Sequence, residues 1–248
     1  MWTREEIAGK TADVFDVPTP RGVVLFLHNY NGESLREDRV YTPLFEREKL
    51  ACVCPLAPRS WWLDVCYPPF DQQLTPLQFL KEHLPSFCEQ RWNLSCPSLA
   101  LVGMEMGGQG VLQLAYRQAR WFPIVVAISP KVDFESWYGG ETSLDRLFPD
   151  REAARQHTAT LQVNPLDWPR YQLLLCDPAD EYCIDGVLTL ASKLSSSGIS
   201  FERDFETTYG GYGWEYAHHI APRVVSHIVR SLSDVERRLE VLNAPSRR

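Results

Sequence analysis

The sequence predicts an α/β fold in three layers, in which helices cover both faces of a mostly parallel, twisted sheet. Two observations support this fold class. Short apolar runs alternate with longer amphipathic stretches along the chain, and the runs are apolar at consecutive positions, as in strands buried on both faces. The 248 residues, of which 44% are hydrophobic, are enough to bury a sizeable core.

Apolar runs predict the strands, at residues 22–27, 50–54, 99–102, 123–128 and 171–176, with an alternating edge strand at 199–205. Helical spacing predicts the helices, at residues 77–92 with a break or kink near Pro85, then 106–120, 186–195 and 221–242. The last helix collects apolar residues on one face, namely Val224, Val225, Ile228, Val229, Leu232 and Val235. We interpret that face as packed on the sheet; a partner helix or a dimer face is the alternative.

No Gly/Ser-rich or charged linker divides the chain, so we predict one domain over residues 1–248. The segment at about 131–168 is a candidate cap, in which Asp150 would cap a short helix. Sites in parallel sheets collect at the carboxyl ends of the strands. We therefore look for chemistry after Leu27, after Val102, after Cys176 and in the loop after Phe205.

Composition argues against several classes of partner. The formal net charge is −7 and the basic residues are scattered, which argues against a nucleic-acid partner. No apolar run approaches the roughly 20 residues of a membrane span, so no membrane partner is expected. The charged N-terminal stretch is not a secretory signal, and seven cysteines without one suggest free thiols in a reducing, cytoplasmic location. The cysteines lack zinc-site spacing, and neither a metal nor an organic cofactor is expected.

Residues 101–110, Leu-Val-Gly-Met-Glu-Met-Gly-Gly-Gln-Gly, carry the strongest local signal. Gly103 and Gly107 flank Glu105 between a predicted strand and a predicted helix. Strand, Gly-x-nucleophile-x-Gly, helix is the layout of a nucleophile elbow, in which a sharp strained turn presents the central side chain. A serine normally stands where this chain has Glu105.

Four stretches together resemble the α/β-hydrolase fold, and within it the esterase-like group that includes S-formylglutathione hydrolases. Residues 27–32 resemble the His-Gly loop of the oxyanion hole, and residues 103–108 resemble the elbow Gly-His-Ser-Met-Gly-Gly. Residues 176–181 resemble the strand end with the triad acid, which falls on Asp180. Residues 210–214 resemble Gly-Gly-His-x-Trp, with Tyr212 at the histidine position. The resemblance extends from about residue 22 to the C-terminal helix.

The resemblance implies that Glu105, Asp180 and Tyr212 hold the triad positions, in the family's order of nucleophile, acid and base. Only the acid is unchanged. Tyrosine, whose unperturbed pKa is about 10, is a poor base at neutral pH, and glutamate has no hydroxyl to activate. The acyl-serine route therefore cannot run through these positions. His218 and His219 follow six and seven residues after Tyr212, and we expect them to be surface or helix-cap residues.

The resemblance also implies a binding region around the elbow. His28, Asn29 and Tyr30 would lie in the oxyanion loop, His28 in a structural role, with Asn29 where the family has glycine. Met106 would add a backbone N–H donor. A pocket for a small-molecule ligand at the carboxyl ends of the strands would be lined by Trp61 or Trp62, with further aromatic surface from Trp137, Tyr138 and Trp214. That these aromatic residues pack in the core or the cover instead is about equally favoured.

We expect the Glu105 carboxylate to occupy its own oxyanion hole, bound by the N–H groups of Met106 and of a residue near Tyr30. Tyr212 would donate its hydroxyl to Asp180 or to Glu105. These expectations predict an esterase-like protein without serine-hydrolase activity, either a pseudoenzyme or a ligand-binding protein. The alternative is an active hydrolase for an ester, thioester, epoxide or halide, with Glu105 as nucleophile or acid–base group. That alternative lacks the histidine that would activate water.

Overall fold

The computed structural model describes residues 1–243 and contains an eight-stranded, mostly parallel sheet. The strands are Trp2–Ile7 (β1), Lys10–Phe15 (β2), Gly22–Leu27 (β3), Leu50–Pro55 (β4), Leu99–Met104 (β5), Ile124–Ile128 (β6), Tyr171–Leu175 (β7) and Glu202–Asp204 (β8). Their order across the sheet is β1-β2-β4-β3-β5-β6-β7-β8. Strands β3 to β8 are mutually parallel, whereas β2 is antiparallel to both β1 and β4. The predicted fold class is confirmed.

Helices follow most of the strands. They are Tyr41–Glu48 (α1), Pro76–Trp92 (α2), Met106–Arg117 (α3), Phe134–Trp137 (α4), Leu144–Leu147 (α5), Arg151–Gln156 (α6), Ile184–Ser196 (α7), Trp214–His219 (α8) and Ala221–Asn243 (α9), with a 3-10 turn at Ala159–Gln162. Helix α9 buries the predicted apolar face, including Val224 and Ile228, against the body of the protein. Within residues 1–243, no helix combines the length and the apolarity needed to cross a bilayer.

Several helices and one strand differ from the prediction. Helix α2 continues through Pro85 without a break, held at its start by a capping box in which Thr75 and Gln78 bind each other's backbone N–H groups. Helix α3 ends at Arg117 rather than at residue 120, and the edge strand is reduced to Glu202–Asp204. The short helices α1 and α8 were not predicted, because each spans only about two turns.

The β1–β2 hairpin was missed as well. Its two-residue turn is Ala8-Gly9, and both residues have positive φ, which matches the twist of a tight hairpin. Strand β1 is rich in charged residues because it lies at the edge of the sheet, where charge protects against pairing with another chain. Because β1 is charged, the search for apolar runs did not detect it. Its partner β2 was missed too, although Ala12 and Val14 are fully buried.

The register of the parallel strands places the carboxyl ends of four neighbouring strands side by side. Leu27 is aligned with Gly103, Met104 with Ile128, and Ile128 with Leu175. The residues that follow β3, β5, β6 and β7 therefore emerge side by side. The segment after β6 contains α4 to α6, and the Asp150 carboxylate accepts a hydrogen bond from the Ala153 N–H at 2.7 Å, as predicted for a cap residue.

Two helical glycines test the packing between the sheet and its helices. A Cβ on Gly110 of α3 would lie 2.5 Å from the Trp62 Cβ, whereas a Cβ on Gly186 of α7 would meet nothing closer than 3.4 Å. We expect Gly110→Ala to lower the free energy of unfolding by roughly 1–3 kcal/mol through overpacking. Gly186→Ala should raise it by up to about 1 kcal/mol through helix propensity. Urea titrations of both variants measure the contrast, and equal effects at the two positions would contradict this packing.

Candidate functional site

The elbow forms as the sequence predicts. Glu105 stands between β5 and α3 with φ 57° and ψ −113°, a strained conformation for a residue with a side chain. The flanking glycines are required by contact. A Cβ on Gly103 would lie 2.1 Å from the Gly107 carbonyl oxygen, and one on Gly107 would lie 1.9 Å from the Leu27 carbonyl oxygen. The head of α3 is thus pressed against the end of β3, which fixes the direction of the Glu105 side chain.

Glu105 is buried, with 3% of its surface exposed, and its carboxylate already has two partners. Lys131 forms an ion pair with Oε1, and the Tyr30 N–H donates to Oε2 at 3.2 Å. A backbone hydrogen bond joins the same two residues: the Lys131 N–H donates to the Glu105 carbonyl oxygen at 3.1 Å. A carboxylate removed from water needs such neutralisation, and here one cation and one loop N–H supply it.

Lys131 is the residue that the sequence reasoning missed. It follows β6 by three positions, and the rule that sites collect at strand ends applies to β6 as much as to β3, β5 and β7. In the sequence, Lys131 stands only at the start of the predicted cap segment. Its ammonium lies 3.9 Å from the centroid of the Trp137 ring and 5.3 Å from that of Tyr212. Cation–π attraction therefore supports the ammonium on the sides that Glu105 does not cover.

Tyr212 lies beside the pair but does not complete the expected network. Its ring packs on Tyr182 with centroids 5.2 Å apart. Burial, followed by the negative charge of Glu105, raises the pKa of Tyr212 well above its ordinary value. Of the two partners expected for its hydroxyl, only Glu105 is engaged: a hydrogen bond to the Glu105 carboxylate contributes to the raised pKa, whereas among residues 1–243 no hydrogen bond joins the hydroxyl to Asp180. The phenol stays protonated at neutral pH, and it cannot serve as a general base.

The Asp180 carboxylate accepts hydrogen bonds from the backbone of its own loop. It is fully buried, and Oδ1 accepts the N–H groups of Tyr182 and Cys183 at 3.1 Å each, which shapes the turn before α7. Its other oxygen, Oδ2, faces only the Cys176 thiol at 3.8 Å. Burial raises the pKa of the Cys176 thiol to about 12. Asp180 has therefore kept its place at the end of β7 while its carboxylate supports the local backbone.

The histidines near the site are engaged elsewhere. His28 is fully buried, its Nε2 accepts the Ala57 N–H at 2.9 Å, and its Nδ1 donates to the Asn29 carbonyl oxygen at 2.6 Å. Burial lowers the pKa of His28 to about 4, so it is neutral at pH 7. His218 pairs with Asp38 at 2.8 Å, and the ring of His219 stacks on Tyr209 at 4.2 Å. These contacts fit the structural roles expected for all three.

Asn29 and Met106 fill roles different from those expected. The Asn29 amide bonds the side chain and N–H of Glu33, and Trp214 Nε1 donates to the same Glu33 carboxylate at 2.9 Å. The Met106 side chain is buried and its sulfur accepts the Trp61 N–H at 3.2 Å. Among residues 1–243, no hydrogen bond joins the Met106 N–H to the Glu105 carboxylate. Of the two expected N–H donors, only Tyr30 is observed.

Trp62 does not line a pocket. It is fully buried between His28, whose ring centroid is 5.1 Å away, and Gly110 of α3. Of the two roles expected for it, the core role is the one observed.

Ser143, just before α5, links two segments beside the site. Its hydroxyl accepts a hydrogen bond from Trp61 Nε1 at 3.0 Å, and its N–H donates to the Tyr30 hydroxyl at 2.9 Å.

A cleft of about 360 Å³ lies beside the pair, lined in part by Lys131, Trp137, Tyr182 and Cys183. It reaches the Lys131 side of the pair rather than Glu105 itself. Among the described residues, no three His, Cys, Asp or Glu side chains converge to hold a metal ion. The cleft is therefore lined by aromatic rings and by carboxylates such as those of Asp133 and Glu181, whereas Glu105 and Lys131 neutralise each other.

Comparisons with known proteins agree with this geometry at the level of the fold. No family model and no curated protein sequence matches the chain. Among solved structures, S-formylglutathione hydrolase from Agrobacterium tumefaciens matches with a TM-score of 0.74 at 19% identity, over 93% of this chain and 94% of that one. The fluorophosphonate-binding serine hydrolase F of Staphylococcus aureus matches with a TM-score of 0.73 at 16% identity, over 92% and 97%.

MPT51 of Mycobacterium tuberculosis matches with a TM-score of 0.69 at 14% identity, over 92% of this chain and 99% of that one. Identities this low show the fold alone. The protein has the α/β-hydrolase fold, as the motifs around Glu105 and Asp180 predicted.

A double-mutant cycle measures the Glu105–Lys131 pair. We expect Glu105→Gln and Lys131→Met each to lower the free energy of unfolding by about 3 kcal/mol, because each leaves one buried charge without its partner. The double variant should be more stable than the sum of the two losses implies. Urea titrations of the four proteins give the coupling. The exposed pair Glu152–Arg155 of α6, changed to Gln and Met, is the matched control and should show no measurable coupling. Additive losses at Glu105 and Lys131 would contradict a buried ion pair.

His28 predicts a dependence of stability on pH. Its folded-state pKa of about 4 lies below the value of about 6.5 for an exposed histidine, so the unfolded chain takes up the proton first as the pH falls. The stability from neutral His28 is therefore present above about pH 6.5 and is lost toward pH 4, by about 3 kcal/mol in total. Between about pH 7.5 and pH 4, the free energy of unfolding of the wild type should fall by that much more than that of His28→Gln. Parallel loss in both proteins would count against a neutral His28. Burial also lowers the pKa of His227, but His227 is common to both proteins.

Proposed function

We propose that this protein is a non-hydrolytic member of the esterase-like α/β-hydrolase fold, in which an ion pair replaces the reactive centre. One observation carries the proposal: the residue at the nucleophile position, Glu105, is 3% exposed and is bound by Lys131 and by the Tyr30 N–H. In a serine hydrolase the corresponding donors stay free for the oxyanion of the transition state. Here the Tyr30 N–H is committed in the resting protein.

The groups beside the site that could act as a base support the same conclusion. A general base must take up a proton near neutral pH, whereas the raised pKa of Tyr212 keeps its phenol protonated and the lowered pKa of His28 keeps that imidazole neutral within the core. Glu105 as a nucleophile toward a halide or an epoxide is disfavoured by the same ion pair, because its lone pairs face Lys131 and Tyr30 rather than the cleft.

The function that remains for the site is binding without turnover. The cleft beside Lys131 offers the Trp137 and Tyr182 rings, which suit a small molecule with an aromatic or apolar face. We place the ligand of this protein there, at the same edge of the sheet where hydrolases of this fold act. A scaffold role, with the pair serving only to fill the elbow, is the simpler form of the same proposal.

A restoration series tests the proposal. We expect the wild type and Glu105→Ser to hydrolyse p-nitrophenyl acetate no faster than buffer and to resist labelling by a fluorophosphonate. The triple variant Glu105→Ser/Lys131→Met/Tyr212→His removes both members of the pair and supplies a nucleophile and a base, and Asp180 Oδ2 can accept the new imidazole N–H. It should be labelled and should turn over the ester.

The control is Glu105→Ala/Lys131→Met/Tyr212→His, which differs only in the serine hydroxyl and should stay inactive. Ester hydrolysis by the wild type that disappears in Glu105→Gln would overturn the proposal, because it would show Glu105 at work as a catalytic residue.

A further inference from the structure

A second surface lies at the amino ends of the parallel strands, whereas Glu105 lies at their carboxyl ends. It is a groove of about 920 Å³ between the last turns of α9 and the segment 164–171. Tyr171 opens β7 and Pro123 directly precedes β6, so both belong to the amino ends of the strands. Sites of this fold class collect at the carboxyl ends. The groove is therefore separate from the elbow and from any ligand bound there.

The rim of the groove is unusually apolar for an exposed surface. Leu166 is 91% exposed, and from α9 Leu239, Val241 and Leu242 are 36%, 75% and 78% exposed. Single exposed apolar side chains need no explanation, whereas several around one concavity mark an interaction site. Because they border a groove rather than a flat face, they suit a partner that inserts, such as an amphipathic helix.

The charge of the groove is opposite to that of the whole protein. Four arginines line it, namely Arg120, Arg170, Arg237 and Arg238, against the two aspartates Asp167 and Asp234. Two of these arginines are paired locally, Arg120 with Asp167 and Arg237 with Asp234. Within residues 1–243, Arg170 and Arg238 form no salt bridge. The formal net charge of the chain is −7, so this basic groove is a local exception.

We propose that this groove, here called the basic groove, binds an acidic amphipathic helix of a partner protein. The apolar stripe of such a helix would cover Leu166 and Leu242, and its carboxylates would pair with Arg170 and Arg238 across the rim. A symmetric dimer through this surface is disfavoured, because a two-fold axis would bring together two grooves of the same net positive charge, each with four arginines and two aspartates. A flat anionic membrane is disfavoured by the concave shape.

The test uses a labelled designed peptide of about 16 residues, roughly 24 Å of helix, with leucines at helical spacing and glutamates elsewhere. Two further peptides are controls, a scrambled isomer that destroys the stripe and a counterpart with lysine in place of every glutamate. Fluorescence anisotropy should show saturable binding of the first peptide alone, weakened by added salt.

Two variants locate the binding. Leu166→Asp and Arg170→Glu/Arg238→Glu should each weaken it by about tenfold or more. The exposed Arg47→Glu in α1, distant in sequence from the groove, is the matched control and should bind as the wild type does. All four positions are exposed, and circular dichroism confirms that the variants fold.

Three results would overturn the proposal. One is equal binding of the acidic and the lysine peptides. Another is binding to vesicles of phosphatidylcholine and phosphatidylglycerol, lost in Arg170→Glu/Arg238→Glu, without binding of the acidic peptide, which would assign the groove to an anionic membrane. The third is a concentration-dependent dimer in sedimentation that Leu166→Asp abolishes, which would assign it to a second copy of the chain.

Discussion

The close approach of Gly107 to the Leu27 carbonyl is the contact on which the site depends. Only a glycine lets the head of α3 come this near to the end of β3, since an added Cβ would lie 1.9 Å from that oxygen. The approach fixes the left-handed turn at Glu105 and brings the Tyr30 N–H within 3.2 Å of its carboxylate. The backbone of a hydrolase elbow is thus built by packing between a strand and a helix, independently of which side chain occupies its centre.

Once a carboxylate occupies that centre, the fold must neutralise it. Burying an unpaired charge would cost several kcal/mol, and Lys131 removes the cost because β6 ends beside β5. The pair in turn restricts its neighbours. Trp137 and Tyr212 pack their rings around the ammonium, and the charge of Glu105 helps to raise the pKa of Tyr212. The carboxylate at the elbow is therefore tied to residues from two other segments, one with Lys131 and Trp137 and one with Tyr212.

The sequence predicted what depends on local pattern. Consecutive apolar residues identified the parallel strands, and the glycines around Glu105 identified the elbow, because a sharp turn needs them within five residues. The hairpin Trp2–Phe15 escaped because edge strands carry charge, which resembles a surface segment. Lys131 escaped because an ion pair across 26 residues leaves no local trace, and only the register of β5 on β6 brings it to Glu105. Trp62 showed the limit of family resemblance, since a loop position near a site does not say whether a ring faces inward or outward.

The three positions that the resemblance assigns to a triad differ in how readily they would accept a hydrolase residue. Asp180 still stands at the end of β7, and although Oδ1 is held by two N–H groups, Oδ2 has only a weak thiol contact and is available to a new donor. Tyr212 is partly exposed and packs mainly on Tyr182, so a smaller ring fits there without disturbing the core. Glu105 is different, because its removal leaves the buried ammonium of Lys131 without its partner. On the proposed function, the ion pair is therefore a larger obstacle to hydrolysis than Tyr212, because Lys131 must be replaced before a serine at the elbow can leave the Tyr30 N–H free for a substrate oxyanion.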